Sequence, residues 1–287
     1  MTFGDRLARV FRERGRVCVG IDPHTHLLDA WGLEDSAAGA RAFGLAVVAA
    51  AAGRAGIVKP QVAFFERFGA AGYAALEEVI REARAAGILV IADAKRGDIG
   101  TSVSAYTEAW LRPGSPLEAD AMTIAAFQGV GSIAESMSAA EAWGKGLFVL
   151  AATSNPEAAV IQKAVVADGP RAGETVARAI IEDVDSFNQA QPAHAFGSVG
   201  VVLGATLDLT DFGIDLGDGR AARANRPPVL APGFGHQGAR VADARRLFGA
   251  LSPALIVSES RGLLSAGPAG LADAIARRSE EVRAVDV

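Results

Sequence analysis

The chain reads as a single-domain α/β protein, a (β/α)8 TIM barrel spanning residues 1–287. Three observations predict it. Eight short apolar runs alternate with longer helical patterns, polar residues collect just after those runs, and no internal repeat or linker divides the chain. The length of 287 residues is ordinary for one such domain, and half of the residues are apolar, which suits a large core.

The elements follow in order. Val17 to Ile21 is the first strand, with a helix over about 35–52. Residues 56–59 are the second strand, followed by a helix through 73–80. The third, 87–93, precedes a helix at 102–111, and the fourth, 119–124, precedes one at 129–143. The fifth strand, 147–151, leads into a long crossover with helical patterns at 156–166 and 173–188. Residues 199–203, 229–231 and 254–257 complete the strands, and helices at 238–250 and 268–282 follow the last two. These runs have few polar interruptions, as strands buried on both faces of a parallel sheet require. A doubly wound open sheet is the other architecture of this kind, but it calls for a G-x-G-x-x-G turn after the first strand. Here that place holds Asp22-Pro23-His24-Thr25-His26. A polar segment, 208–226, forms a long loop over one barrel end.

In such a barrel the chemistry lies at the C-terminal ends of the strands. The richest of these ends is Asp93-Ala94-Lys95-Arg96-Gly97-Asp98. Alternation along a strand sends Asp93 and Lys95 to the same side, and Gly97 lets the chain turn toward Asp98. Buried charges of this kind must be paired. They form either a salt bridge tying strand to loop or a catalytic lysine flanked by acids, whose carboxylates favour its charged form. The other strand ends carry Asp22, Lys59, Thr123, Ser154, Asn155, Gln237 and Arg261. So many acids, amides and bases on one face favour the catalytic reading, although Asp22 and Ser154-Asn155-Pro156 could individually serve as turn and cap residues. Pro232-Gly233-Phe234-Gly235-His236-Gln237-Gly238 and Ser260-Arg261-Gly262, after the last two strands, have the character of a phosphate site.

Composition excludes other classes. A net charge of −5 argues against general binding to nucleic acid or membrane surfaces. No apolar run is long enough to span a bilayer, since the alanine-rich stretch 37–55 is broken by Arg41, Arg54 and glycines. The N-terminal residues form a short charged helical pattern rather than a signal peptide. The single cysteine, Cys18, sits inside the first strand as a small buried side chain, so no disulfide framework exists and a cytoplasmic setting is expected. The lysines are Lys59, Lys95, Lys145 and Lys163 in a chain that otherwise uses arginine. Unlike arginine, lysine can hand over a proton.

These motifs together resemble the orotidine 5′-phosphate decarboxylase family, in its longer bacterial branch. The resemblance rests on Gly20-Ile21-Asp22-Pro23, Lys59-Pro60-Gln61, the D-x-K-x-x-D run from Asp93 to Asp98, Thr153-Ser154-Asn155-Pro156, Gly204-Ala205-Thr206 and the two glycine-bearing segments at the end. It implies decarboxylation of orotidine 5′-monophosphate to uridine 5′-monophosphate without metal or organic cofactor. Lys95 would be the proton donor, with Asp93, Asp98 and Lys59 completing the catalytic network. Asp22 and Lys59 would hold the ribose hydroxyls, with Ser102 as a further ribose contact. Ser154 would meet the pyrimidine edge, and Gln237, Arg261 and the Gly235 backbone the 5′-phosphate. Thr123 joins the substrate-binding set as a strand-end residue. The resemblance also implies a homodimer in which Asp98 reaches the neighbouring site. After Ile99-Gly100 the chain has Thr101-Ser102 where the family commonly has Asn-Thr, and His236 receives no role. Two alternatives stand beside this reading: a metal-dependent sugar-phosphate lyase or decarboxylase on the same barrel, and a non-catalytic nucleotide-binding barrel.

Overall fold

A computed structural model, which describes residues 1–217 and 223–285, closes eight parallel strands into a barrel in chain order. The strands are β1 (Val17–Ile21), β2 (Ile57–Pro60), β3 (Leu89–Arg96), β4 (Ala121–Ile124), β5 (Gly146–Ala152), β6 (Val199–Leu203), β7 (Val229–Pro232) and β8 (Leu255–Glu259). Closure is sealed by β1, which pairs Gly20 with Lys59 of β2 and Cys18 with Ser258 of β8. Nearly every strand residue is buried, because one face fills the barrel and the other packs under helices.

The two faces give two cores. Inside the barrel, Cys18, Ile57, Ile91, Phe148, Leu230 and Ile256 pack together. Helix Phe3–Arg14 plugs this interior from the N-terminal end of the strands with Phe3, Leu7 and Val10. Phe3 meets Phe148 edge-on at 6.0 Å, a favoured aromatic geometry. The helix sits close enough that a Cβ on Gly4 would fall 1.9 Å from the Phe196 carbonyl oxygen. The larger outer core lies between strands and helices, where Ala37–Ala51 and Gly69–Ala85 pack against one another.

The expected strands are all present, with small shifts at their ends. The helical pattern at 238–250 is broken instead into Val241–Asp243, Ala244–Phe248 and the 3-10 run Gly249–Ala254. Gly249 at φ +48° and Pro253 stop a continuous helix there. The pattern at 156–166 shrinks to Pro156–Ala158 and Ala159–Gln162, and Val165 instead bridges Thr175. Within the polar segment at 208–226, residues 218–222 lie outside the described residues.

Candidate active site at the C-terminal end of the barrel

Strand β3 loses its regularity where the charges sit. Its pairing with β4 shifts register between Ala92 and Arg96, and Lys95 adopts φ +47°. A non-glycine residue in that region is strained by roughly 1 kcal/mol or more, so its surroundings must hold it there. The Lys95 N–H donates to Thr123 Oγ1 at 3.0 Å. That hydroxyl in turn donates to Asp93 Oδ1 at 2.9 Å.

Asp93 is the hub. Its Oδ1 also receives Lys95 Nζ at 2.6 Å, while Oδ2 receives Lys59 Nζ at 2.6 Å and Gln61 Nε2 at 3.0 Å. Burial alone would push the carboxyl up, but the two ammonium groups hold it well below the usual carboxylate range. Burial likewise disfavours the Lys59 ammonium, and Asp93 with Asp22 more than reverses that, leaving it above its ordinary value. The Cys18 thiol beneath them is pushed up to about 12 by burial, consistent with a neutral packing side chain.

Lys59 and Lys95 differ in access. The Lys59 side chain is 9% exposed and that of Lys95 47%. Lys95 therefore faces a cleft of about 1290 Å³, part of it open to solvent, at the mouth of the barrel. Asp22, Lys59, Asp93, Thr123, Ser154, Gln237 and Arg261 line the same cleft. Leu150, Val202 and Leu230 supply an apolar floor. Asp22 accepts from Ser260 Oγ at 2.6 Å through Oδ2, whereas its buried Oδ1 has no partner. A polar orphan of this kind calls for a ligand group or water.

Comparison with known proteins settles the lineage. The family model described as orotidine 5′-phosphate decarboxylase / HUMPS family matches residues 15–270. The chain belongs to this family. A Salinispora tropica orotidine 5′-phosphate decarboxylase is 49% identical over 93% of this chain and 91% of the relative. The Nocardioides sp. orotidine 5′-phosphate decarboxylase is 47% identical over 98% of both. A crystal structure from Streptomyces avermitilis superposes with a TM-score of 0.90 at 45% identity, covering 99% of this chain and 95% of that one. The Leishmania donovani OMP decarboxylase gives a TM-score of 0.74 at 30% identity, covering 99% and 98%. The chain is thus an enzyme of pyrimidine biosynthesis, a carboxy-lyase of the orotidine 5′-phosphate decarboxylase type.

Three residues that the decarboxylase resemblance nominates stand away from the cleft wall of this chain. Asp98 accepts the Ile99 N–H at 2.8 Å through Oδ1. Ser102 is exposed on the first turn of helix Gly100–Leu111. Gly235, at φ +70°, opens the turn that carries Gln237, and its N–H donates to the Ala239 carbonyl at 3.0 Å. Other residues around this cleft had no assigned role in the sequence. Gln61 lies two residues after Lys59 in the run Lys59-Pro60-Gln61, a spacing that strand alternation sends to one side. Ser260 likewise adjoins Arg261. His24 packs against Phe64 with the two rings tilted by 55° and their centroids 4.1 Å apart, and burial lowers its pKa. No sequence period marked that contact.

Proposed function

We propose that Lys95 is the proton donor in the conversion of orotidine 5′-monophosphate to uridine 5′-monophosphate and CO2, the last step of de novo UMP synthesis. The observation that carries this is a half-exposed ammonium, facing the cleft and held 2.6 Å from a carboxylate that three further donors lock in place.

When the C6–carboxylate bond breaks, its electron pair stays on C6 in the ring plane, where no adjacent carbonyl can delocalise it. Stabilisation must then be electrostatic and positioned in advance. Lys95 sets a fixed cation beside C6. As CO2 departs, the ammonium transfers one proton to C6, giving uridylate and a neutral amine that solvent reprotonates. Asp93 orients Lys95, and its four donors keep it from swinging toward the departing carboxylate. Asp22, with one unpaired oxygen, would accept from a ribose hydroxyl, and Lys59 would donate to another. Ser154 would bind the pyrimidine edge. Gln237 and Arg261, at the turn after β7 and the helix start after β8, would hold the 5′-phosphate, whose binding energy is remote from the reacting carbon.

Asp98 belongs in this reading to the neighbouring subunit's site, and Ser102 is a further ribose contact. Asp98 lies on the surface beside Ile99, 60% exposed, and the loop after β4 presents Phe127, 78% exposed. Gly97 packs against the Ala125 carbonyl, which joins the two loops into one face. A second copy covering that face would bury both apolar side chains and deliver Asp98 across the boundary. Mixing inactive Lys95→Ala with inactive Asp98→Asn should then restore part of the activity, because a mixed dimer holds one site with both native residues. A mixture as inactive as its components would sink the shared site.

The Mg²⁺-dependent alternative has less support. It needs carboxylates free to coordinate, and Asp93 is saturated by two ammonium groups, an amide and a hydroxyl. Among the described residues no helix is long and apolar enough to cross a membrane. The deciding assay is the ultraviolet change of orotidine 5′-monophosphate on mixing with the protein, with and without EDTA. Conversion indifferent to EDTA supports the reading. Loss of conversion on chelation would move the chemistry to a metal.

A further inference from the structure

The end of β8 carries a buried acid that the reaction does not use. Glu259 is 3% exposed. Its Oε2 lies 2.6 Å from Arg278 Nε, and its Oε1 accepts from Arg278 Nη2 at 3.2 Å. Arg278 projects from helix Gly267–Ala284 and also pairs with Glu281 at 2.8 Å. The same Oε1 presses on two glycine backbones. A Cβ at Gly235 or at Gly262 would come within 2.1 Å of it. Both positions therefore exclude a side chain while the carboxylate is in place. Gly235 opens the turn that carries Gln237, and Gly262 directly follows Arg261. A Cβ at Gly262 would also come within 3.6 Å of the His236 nitrogen, so the two backbone segments nearly touch above the acid.

We propose that Glu259 is a positioning residue for the 5′-phosphate site: clamped by Arg278, its carboxylate is the wedge that sets the spacing between the Gln237 turn and Arg261. The inference rests on the reading of Gln237 and Arg261 as the phosphate-binding pair. Arg278 has two tasks in this arrangement. It fixes the wedge from the helical layer, and it neutralises a carboxylate that would otherwise repel a phosphate dianion a few residues away. A simple strand-to-helix tie would use the same ion pair. It would not explain why the acid lies against two glycines, one from each segment, at the mouth of the barrel.

The test is calorimetric binding of uridine 5′-monophosphate and of uridine to the full chain. The wild type should prefer the phosphorylated ligand. Arg278→Gln, which frees the wedge and unmasks its charge, should reduce that preference about tenfold while leaving uridine affinity nearly unchanged. Adding Glu259→Gln to that variant should recover most of the loss, because the neutral amide keeps the shape. Should Arg278→Gln fail to fold by circular dichroism, Glu259→Asp, one methylene shorter, is read in the same way. A folded variant with the wild-type ratio of the two affinities, or an equal loss for both ligands, would overturn the wedge. A wild type with no preference at all would instead remove the phosphate reading, and the inference with it.

Discussion

The barrel has a buried lysine–carboxylate cluster at each end, and only one of them is left incomplete. At the N-terminal end Lys145 is 4% exposed and reaches Glu118 at 2.7 Å and the Ala119 carbonyl at 2.8 Å. Glu118 also takes Arg84 at 2.6 Å and the Gly114 N–H at 2.8 Å. Asp120 beside it binds Arg6 of the plugging helix at 2.5 Å and the Val90 N–H at 2.9 Å. Each carboxylate oxygen there has a donor. At the C-terminal end Asp93 is equally saturated, yet Asp22 keeps an orphan oxygen and Lys95 keeps half of its side chain in the cleft. The same residue chemistry closes a barrel when all its valences are met internally, and serves a ligand when some are withheld.

The sharpest way to break that comparison is to remove one lysine from each end. Lys95→Ala should lower kcat by more than about a thousandfold and leave the urea midpoint close to wild type, because Asp93 retains Lys59. A variant keeping a tenth of the activity would exclude Lys95 as the proton donor. Lys145→Met should do the reverse. It leaves Glu118 with only Arg84 and the Gly114 N–H and should cost about 2–4 kcal/mol of stability, read by urea unfolding, with kcat and KM unchanged in the folded fraction. Equal damage to kcat in both variants would erase the distinction between the ends.

Between those extremes lies Asp93, where stability and chemistry meet. Asp93→Ala leaves the buried Lys59 ammonium without its partner and should cost about 3–5 kcal/mol as well as abolishing turnover. Asp93→Asn keeps the shape and should recover part of the stability without recovering kcat. If the amide restored both, the role of Asp93 would be packing alone.

How far the sequence reached follows the same physics. The barrel was legible because strands buried on two faces, such as 147–151 and 199–203, leave uninterrupted apolar runs. Asp93 and Lys95 were legible because alternation alone puts them on one side. Three things were not. The bulge that places Lys95 at φ +47° depends on Thr123, 28 residues away, and no local pattern encodes it. Lys145 received no role in the sequence, since its partner Glu118 and the neighbouring Asp120, which Arg6 of helix Phe3–Arg14 pairs, come together only in the folded barrel. The short helices Thr25–Ala30 and Val62–Glu66, which bring His24 against Phe64, have too few turns to show a period. Asp98 is a fourth kind of case: its place in the motif was plain, but its place in a site depends on a surface that one chain leaves open.

The smallest expected effect concerns acid, and it sharpens the comparison from the stability side. Burial would raise the Glu118 carboxyl, but Lys145 and the Gly114 N–H outweigh it and bring it down to about 2. A carboxyl depressed on folding stabilises the native state above its unfolded pKa, near 4 for an ordinary glutamate, and loses that contribution as pH falls through the folded value. Urea midpoints should therefore drop between about pH 4 and pH 2. Glu118→Gln should flatten its share of that slope while leaving turnover at neutral pH intact. Asp93, depressed by the same mechanism at the other end, would keep the remaining slope. An undiminished slope in Glu118→Gln would mean that the closed end does not hold its charge through folding, and that the asymmetry between the two clusters lies in exposure alone.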